Sequence, residues 1–303
     1  MAVIEVRELT KRFGSNVLAV DHLDFAVDSG TVCGLLGPNG AGKTTALRML
    51  VGLIRPTSGE ARVFDTRVTP SNRVLRRVGA MIEHAAFYPY LSGVTNLRIY
   101  WEQGGASWPP ANLDDALAVA GLGDAVHRRV KTYSHGMKQR LGICRVLLGE
   151  PEILMLDEPT NGLDPGEIRE VRRLMQRLAD RGTTVLLSSH LLGEIEQTCS
   201  HVVVMDRGHL VAAGTVASFV AGTKWVYFEV DDTERATRVL DAHPGVLAVT
   251  AEHPGLTVEL DGLPRAELVT ALVREGVAVE TVTARNRLED AFLGLLRDGG
   301  ASQ

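Results

Sequence analysis

The chain has 303 residues, a length that suits one large or two ordinary domains, each able to bury a core. Hydrophobic residues make up 45% of the sequence and charged residues 23%, which excludes a disordered, collagen-like or coiled-coil protein. The formal net charge of -5 argues against a protein that binds nucleic acid through a basic face. We therefore expect no nucleic-acid partner.

We expect no part of the sequence to cross a membrane. The longest uncharged run, residues 208–223, is sixteen residues long and partly polar, whereas a span needs about 20 apolar residues. Charges at Glu5, Arg7 and Glu8 fall where a signal peptide would be apolar, so we expect no export. The cysteines are odd in number and form no CxxC pair, which favours reduced thiols of a cytosolic protein: Cys33, Cys144 and Cys199.

Two kinds of strand pattern open the chain. Alternation at residues 3–7 and 23–27 predicts half-exposed antiparallel strands. A nearly continuous apolar run at residues 32–36 predicts a strand buried on both faces of a parallel sheet. Similar runs recur at residues 153–156, 185–187 and 202–205. Helical patterns such as residues 168–178 lie between them, so we predict an α/β fold with a central parallel sheet.

More than a hundred residues separate the first two buried runs, which is far more than one crossover helix needs. Helical patterns occur there at residues 113–120 and 136–148, with a loop rich in Gly and Pro at residues 104–110. We therefore predict an inserted, mostly helical subdomain over about residues 86–150.

The charge changes near residue 222. From Lys224 onward eight basic residues face fourteen acidic ones, a net charge of -6, while the part before it carries +1. We predict two domains, residues 1–222 and residues 223–303. The second shows the βαββαβ order of a ferredoxin-like unit, followed by a last helix at residues 287–296. The six predicted elements span residues 225–230, 233–242, 246–251, 256–260, 265–275 and 277–282.

A glycine-rich segment follows the first buried strand and opens a helix. Its spacing is GxxxxGK[ST], in the strand, turn and helix context that a phosphate-binding loop requires. Backbone N–H groups would then point at phosphate oxygens, Lys43 would meet the β- and γ-phosphates, and Thr44 would ligate Mg²⁺. The alternative is an ordinary Gly-rich turn. The candidate nucleotide-binding residues are Gly37, Asn39, Gly40, Ala41, Gly42, Lys43, Thr44 and Thr45.

Further polar side chains end two other buried strands. Asp157 and Glu158 follow residues 153–156, and His190 follows the run that starts at residue 184. Ligands of open α/β sheets bind at the carboxyl ends of strands, so we expect all three side chains near the same phosphates. Asp157 would then hold Mg²⁺, Glu158 would activate water, and His190 would sense the γ-phosphate. Taken alone, each is equally a surface residue at a strand end.

Residues 133–140 read Tyr-Ser-His-Gly-Met-Lys-Gln-Arg and end seventeen residues before Asp157. With the preceding motifs, this segment makes residues 3–222 resemble the nucleotide-binding subunit of an ABC transporter. The resemblance implies that two subunits, copies of this chain or a paralogue pair, enclose two ATP molecules. Ser134 and Gly136 match the signature positions that contact γ-phosphate across that dimer, at a helix N-terminus that favours anions.

The resemblance implies roles for further residues. Asp164, in the Asn-Gly-Leu-Asp segment after the acid pair, matches the loop that couples the two sites. Phe13 matches the position whose ring stacks on adenine, and a core phenylalanine is the alternative. A permease in another polypeptide is implied, with this subunit in the cytoplasm on the inner face of the membrane. Residues 84–100 are aromatic and nearly uncharged, so they would form the groove for a permease helix or a locally packed loop.

Two departures from the family pattern stand out. His135 replaces a glycine of the signature. Its imidazole would make the contact with ATP sensitive to pH, and the alternative is a solvent-facing loop residue. Glu83 stands where the family has a glutamine that touches Mg²⁺, and it brings a negative charge toward the γ-phosphate. With Glu83, the aromatic residues 87–91 and the signature at residues 133–140, the chain is similar to the ATPases of bacitracin-resistance and lantibiotic-immunity exporters. Residues 282–296 resemble the C-terminal extension of some drug-exporter ATPases.

We therefore expect an ATPase that powers export of a drug, an antibiotic or an antimicrobial peptide. Two other classes stay open. One is an ABC ATPase that acts on ribosomes or DNA, which usually carries two cassettes or a long coiled coil. The other is a regulatory protein whose acidic tail binds a small ligand or a partner while the cassette only switches.

Overall fold

A computed structural model describes residues 1–14, 16–83, 85–221, 225–252 and 254–285 of the chain. The chain divides into two compact units, with the break between Thr215 and Val216. The boundary predicted from charge and composition, at residue 222, falls a few residues later.

The first unit is built from ten strands and six α-helices within its described residues. They are β1 (Ala2–Phe13), β2 (Val17–Asp28), β3 (Val32–Leu36), α1 (Lys43–Leu50), β4 (Ser58–Val63), β5 (Thr66–Arg67), β6 (Val78–Met81), α2 (Gly93–Gln103), α3 (Leu113–Ala120), α4 (His135–Leu147), β7 (Ile153–Leu156), α5 (Pro165–Asp180), β8 (Thr184–Ser189), α6 (Leu192–Thr198), β9 (His201–Asp206) and β10 (His209–Thr215). None of the helices described in the chain combines the length and the apolar composition that a bilayer span requires.

An antiparallel sheet of order β2-β1-β4-β5 forms one layer of this unit. The predicted alternation is confirmed, because Ile4 pairs with Val27 and Val6 pairs with Phe25, and all four side chains are buried on one face. Burying these side chains against α1 and the second sheet gives the unit its main hydrophobic core.

The second sheet positions the candidate nucleotide-binding residues. Its order is β10-β9-β3-β8-β7-β6, and neighbouring strands are parallel from β9 to β6, with β10 antiparallel at the edge. The four predicted buried strands are confirmed, and every residue of β3 and β7 is buried. Since β3 lies between β8 and β9, the segment that leaves it opens at the centre of the sheet's carboxyl edge.

The region between β3 and β7 contains three strands as well as helices, and all three strands lie before residue 86, where the predicted helical subdomain begins. Helices α3 and α4 lie where the pattern placed them, and residues 104–110 are a loop, but the strands β4, β5 and β6 precede these helices. The sequence pattern missed β6 because it has only four residues, one of them Gly79. A Cβ at Gly79 would lie 2.3 Å from a side-chain carbon of Val146 on α4, so the glycine allows the helix to pack closely on this strand.

The second unit has the predicted ferredoxin-like order. Its elements are α7 (Val216–Ala221), β11 (Trp225–Val230), α8 (Thr233–Asp241), β12 (Val246–Glu252), β13 (Gly255–Leu260), α9 (Arg265–Arg274) and β14 (Val279–Arg285). The antiparallel sheet has the order β12-β13-β11-β14, which is the βαββαβ topology. Its core is built from side chains of this unit, including Val226, Phe228, Leu240, Leu256, Val258, Leu268 and Leu272. The predicted helix at residues 287–296 lies outside the described residues.

We expect the three thiols to be unreactive in the folded protein. Burial raises the pKa of Cys33 and of Cys144 to about 12, and it also raises the pKa of Cys199. At pH 8 almost no thiolate is present, and the thiolate is the nucleophile. Intact-mass analysis after iodoacetamide treatment should show no adduct on the native chain and three adducts in guanidinium chloride. Rapid labelling of native protein at pH 8 would contradict this prediction.

Candidate nucleotide-binding site

The glycine-rich loop between β3 and α1 depends on two close backbone approaches. Gly42 has φ of 100°, and a Cβ at this position would lie 2.3 Å from the carbonyl oxygen of Ala19. A Cβ at Gly37 would lie 2.2 Å from the carbonyl oxygen of Met205. A larger residue at either position would push the loop away from its neighbours, so packing requires both glycines, and the positive φ of Gly42 adds a conformational requirement there.

Lys43 begins α1 and is the cation of this loop. Its side chain is only 5% exposed, and Nζ donates to the carbonyl oxygens of Gly37 at 2.7 Å and Pro38 at 3.2 Å. The helix has no acidic residue in its first turn, and the Gly42 N-cap has no side chain to satisfy its first N–H groups. A positive helix end with free donors and a buried ammonium group is a site for an anion such as phosphate.

A cavity of about 380 Å³ lies in front of this loop. It is lined by the loop itself and by polar side chains that arrive from the ends of β7 and β8. The lining residues are Ala19, Asn39, Gly40, Ala41, Gly42, Lys43, Thr44, Thr45, Glu158, Asn161 and His190. The structure thus brings Glu158 and His190 to the same cavity as the phosphate loop, as the strand order predicts.

Thr44, Asp157 and Ser188 form one hydrogen-bonded group beside the cavity. The Thr44 hydroxyl donates to Asp157 Oδ2 at 2.9 Å, and the Ser188 hydroxyl donates to Asp157 Oδ1 at 2.6 Å. Ser188 also accepts the backbone N–H of Glu158 at 2.9 Å. Because the hydroxyl and carboxylate oxygens converge, this group fits Mg²⁺, which is commonly held by one or two carboxylates together with substrate phosphates. No cluster of three His, Cys, Asp or Glu residues that could hold a metal alone occurs among the described residues.

Glu158 lies between a cation and an imidazole. Its Oε1 is 3.4 Å from Lys43 Nζ, and its Oε2 is 2.7 Å from Nδ1 of His190. The backbone of Glu158 has φ of 46°, in the left-handed region that few side chains adopt. A carboxylate held from two sides at the mouth of a phosphate cavity is placed to accept a proton from water.

Two predicted residues lie apart from this cavity. Glu83 has φ of 66°, its side chain is 65% exposed, and its carboxylate contacts the guanidinium of Arg48 on α1. Phe13 ends β1 with its ring 42% exposed and the ammonium of Lys11 5.1 Å from the ring centroid. Neither residue is among those that line the cavity. Their expected contacts with Mg²⁺ and adenine therefore remain predictions.

The signature residues lie at the start of α4, against α5. Ser134 is the N-cap of α4, and its hydroxyl accepts the N–H of Met137 at 3.1 Å and donates to Glu167 Oε1 at 2.6 Å. Asp164 is the N-cap of α5 and accepts the N–H groups of Gly166 and Glu167. The Glu167 side chain also covers Gly136. The structure therefore joins the two predicted segments of the dimer site through one residue.

Sequence reasoning missed three residues of this region. Ser188 could have been found, because it is a hydroxyl near the carboxyl end of a fully buried strand, and that end faces the site. Arg48 and Glu167 carry no such signal, since each is a charged helix residue outside the recognised motifs. Their contacts join segments 35 and 33 residues apart in the chain, which only the folded structure shows.

Comparison with known proteins places this geometry in a family. The family model described as ABC transporter matches residues 20–161. The chain is 38% identical over 302 residues to the bacitracin transport ATP-binding protein BcrA of Bacillus licheniformis, covering 98% of each chain. It is 37% identical over 304 residues to the daunorubicin/doxorubicin resistance ATP-binding protein DrrA of Streptomyces peucetius, covering 96% of this chain and 92% of that one.

Comparison with solved structures gives matches to the same family of ATP-binding subunits. A structure of an ATP binding subunit of an ABC transporter is 28% identical, with a TM-score of 0.62, covering 72% of this chain and 92% of that one. The ATP-binding cassette MJ0796, solved as a dimer in a post-hydrolysis state with ADP and Pi, shares the fold at 20% identity. Its TM-score is 0.61, and the match covers 70% of this chain and 98% of that one. The chain belongs to the ATP-binding ATPase subunits of ABC transporters.

Proposed function

We propose that this chain binds and hydrolyses MgATP to drive a separate membrane permease that exports a drug or a peptide antibiotic. The observation that carries the ATPase part is the meeting of Lys43, Glu158 and His190 at one cavity, beside the Thr44 and Asp157 pair. The export part is supported by relatives named for bacitracin transport, daunorubicin resistance and lantibiotic transport.

The proposed chemistry assigns one task to each group. The N–H groups of residues 39–45 and the ammonium of Lys43 bind the phosphates, and Thr44 with Asp157 would hold Mg²⁺. The metal supplies charge neutralisation at the β- and γ-phosphates when bound. Glu158 orients the attacking water and takes its proton, while the imidazole of His190 holds the Glu158 carboxylate in place through the 2.7 Å contact.

Two subunits are proposed to act together. A second copy of this chain, or a paralogue, would bring Ser134 and Gly136 of its signature to the γ-phosphate bound here. Dimers of a related cassette support this arrangement.

We propose residues 1–222 as the cassette, with a helical subdomain over about residues 86–150, and residues 223–303 as an accessory domain. The subunit would lie in the cytoplasm, held to the inner membrane face by its permease.

A groove next to α2 is the proposed permease site. It has a volume of about 320 Å³ and is lined by residues that include Phe87, Tyr88, Ile99, Tyr100 and Arg145. The Arg145 guanidinium lies 4.7 Å from the Tyr100 ring centroid and 5.8 Å from that of Phe87. Burial lowers the pKa of this guanidinium, and its buried Nε has no hydrogen-bond partner in the described part of the structure. An acidic side chain on a permease helix would satisfy it.

We expect the full-length chain to co-purify from membranes with a separate permease subunit. Replacing Arg145 by Met should lower the amount recovered with the permease by about tenfold, because charged hydrogen bonds at buried contacts contribute on the order of 1.5–3 kcal/mol. Arg173→Met is the matched control, since Arg173 is exposed, pairs with Glu170 on α5 and lies outside residues 84–100. Recovery with ribosomes, or with neither partner, would overturn the proposed transport function.

A further inference from the structure

The signature serine is already engaged by an anion of its own chain. The Ser134 hydroxyl donates to Glu167 Oε1 at 2.6 Å. The same carboxylate covers Gly136, because a Cβ built there would lie 2.4 Å from Glu167 Cδ and 2.6 Å from Oε1. Glu167 thus contacts both residues that the proposed function reserves for the γ-phosphate.

The surroundings explain why a carboxylate lies there. Helix α4 starts at His135 and has thirteen residues with no acidic side chain in its first turn, so its positive end carries no anion of its own. Glu167 supplies the negative charge from the first turn of α5, where its backbone N–H is held by Asp164 Oδ1 at 2.9 Å. The carboxylate therefore reaches the signature from a fixed helix end.

We propose that Glu167 is a built-in competitor of ATP: its carboxylate occupies the signature and must leave before the γ-phosphate on a second subunit can bind there. This inference rests on the proposed function, which supplies the role of Ser134 and Gly136. Two anions cannot share one serine hydroxyl and one helix end without strong repulsion, so ATP-driven closure of the dimer includes the release of Glu167.

The release is linked to the chain's own site. The backbone N–H groups of Gly166 and Glu167 both donate to Asp164, which lies six residues after Glu158. The Glu158 carbonyl oxygen accepts the N–H of Asn161 at 3.1 Å. Asn161 lines the phosphate cavity. A short covalent path therefore joins Glu167 to Glu158, the proposed catalytic carboxylate of the same subunit.

The test uses full-length protein with Glu158→Gln, which is expected to form a stable ATP-bound dimer. Dimer formation against MgATP concentration is followed by analytical ultracentrifugation. Adding Glu167→Gln keeps the side-chain shape but replaces a charge-assisted hydrogen bond by a neutral one, so half-maximal dimerisation should need about tenfold less ATP. Glu167→Asp, whose shorter side chain draws the carboxylate back from Ser134, should shift the midpoint in the same direction and serves if the Gln variant folds poorly.

Glu170→Gln is the matched control, because Glu170 lies one turn later on α5 and pairs only with exposed Arg173 among the contacts described. It should leave the midpoint unchanged, and ATP affinity of the monomer should be equal in all variants. An unchanged or raised midpoint for both Glu167 variants would overturn the competitor role, since it would show that Glu167 holds Ser134 ready for phosphate. If the Glu158→Gln parent itself formed no dimer with ATP, the proposed function would fail, and this inference with it.

Discussion

Replacing Glu158 by Gln is expected to lower the rate of ATP hydrolysis by about 10²–10⁴-fold, the contribution of a positioned general base. The amide keeps the size of the side chain and a hydrogen bond to His190, but it cannot accept a proton from water. ATP binding should survive, because the phosphate contacts come from the loop and from Lys43. The variant should therefore accumulate as an ATP-bound dimer.

Phosphate release at saturating MgATP measures the rate, and light scattering coupled to gel filtration measures the dimer. Glu152→Gln is the control. Glu152 directly precedes β7, at the end of the strand away from Glu158, and pairs with exposed Arg77. It should hydrolyse ATP at the parent rate. A Glu158→Gln variant that hydrolysed ATP at the parent rate, or that formed no dimer, would remove the catalytic role from this residue.

Replacing Lys43 by Met should weaken ATP binding by about 100-fold or more. The ammonium is buried and held against two loop carbonyls, so it is pre-organised for phosphate, and charged hydrogen bonds of this kind contribute on the order of 1.5–3 kcal/mol each. The substitution also leaves Glu158 without the cation 3.4 Å away, which adds repulsion toward the triphosphate.

Binding of a fluorescent ATP analogue, with thermal unfolding as the folding check, measures this effect. Lys131→Met is the control, because its ammonium is exposed and lies 5.8 Å from the ring centroid of Tyr90, away from the loop. Its ATP affinity should equal that of the parent. An affinity loss of less than threefold for Lys43→Met would show that the loop backbone alone binds the phosphates.

The elements that follow from local physics could be predicted from the sequence. Continuous apolar runs identified β3, β7, β8 and β9, and the parallel order then brought Glu158 and His190 to one edge. The strand β6 was missed because four residues with a central Gly79 carry too little pattern. The exposed position of Glu83 could not be foreseen either, because it depends on a backbone φ of 66° and on Arg48, 35 residues earlier.

The contacts of the signature residues show most clearly what could not be predicted from the sequence. The sequence indicated that Ser134 lies at a helix N-terminus and that Asp164 lies in a loop before the helical pattern of residues 168–178. In the structure both residues are helix N-caps. That Glu167 bridges them depends on how α4 and α5 pack, which no spacing in the chain encodes. Long-range side-chain pairs of this kind are set by tertiary packing, whereas caps and buried runs are set by near neighbours.

The backbone of Glu158 carries a conformational cost that its proposed catalytic role would explain. For a glutamate, φ of 46° costs about 1–2 kcal/mol relative to the ordinary helical or extended regions, and glycine or asparagine would adopt it more readily. A sequence selected for stability alone would place one of those residues here. Glycine or asparagine at residue 158 is therefore expected to raise the free energy of unfolding while removing the carboxylate that the proposed hydrolysis needs.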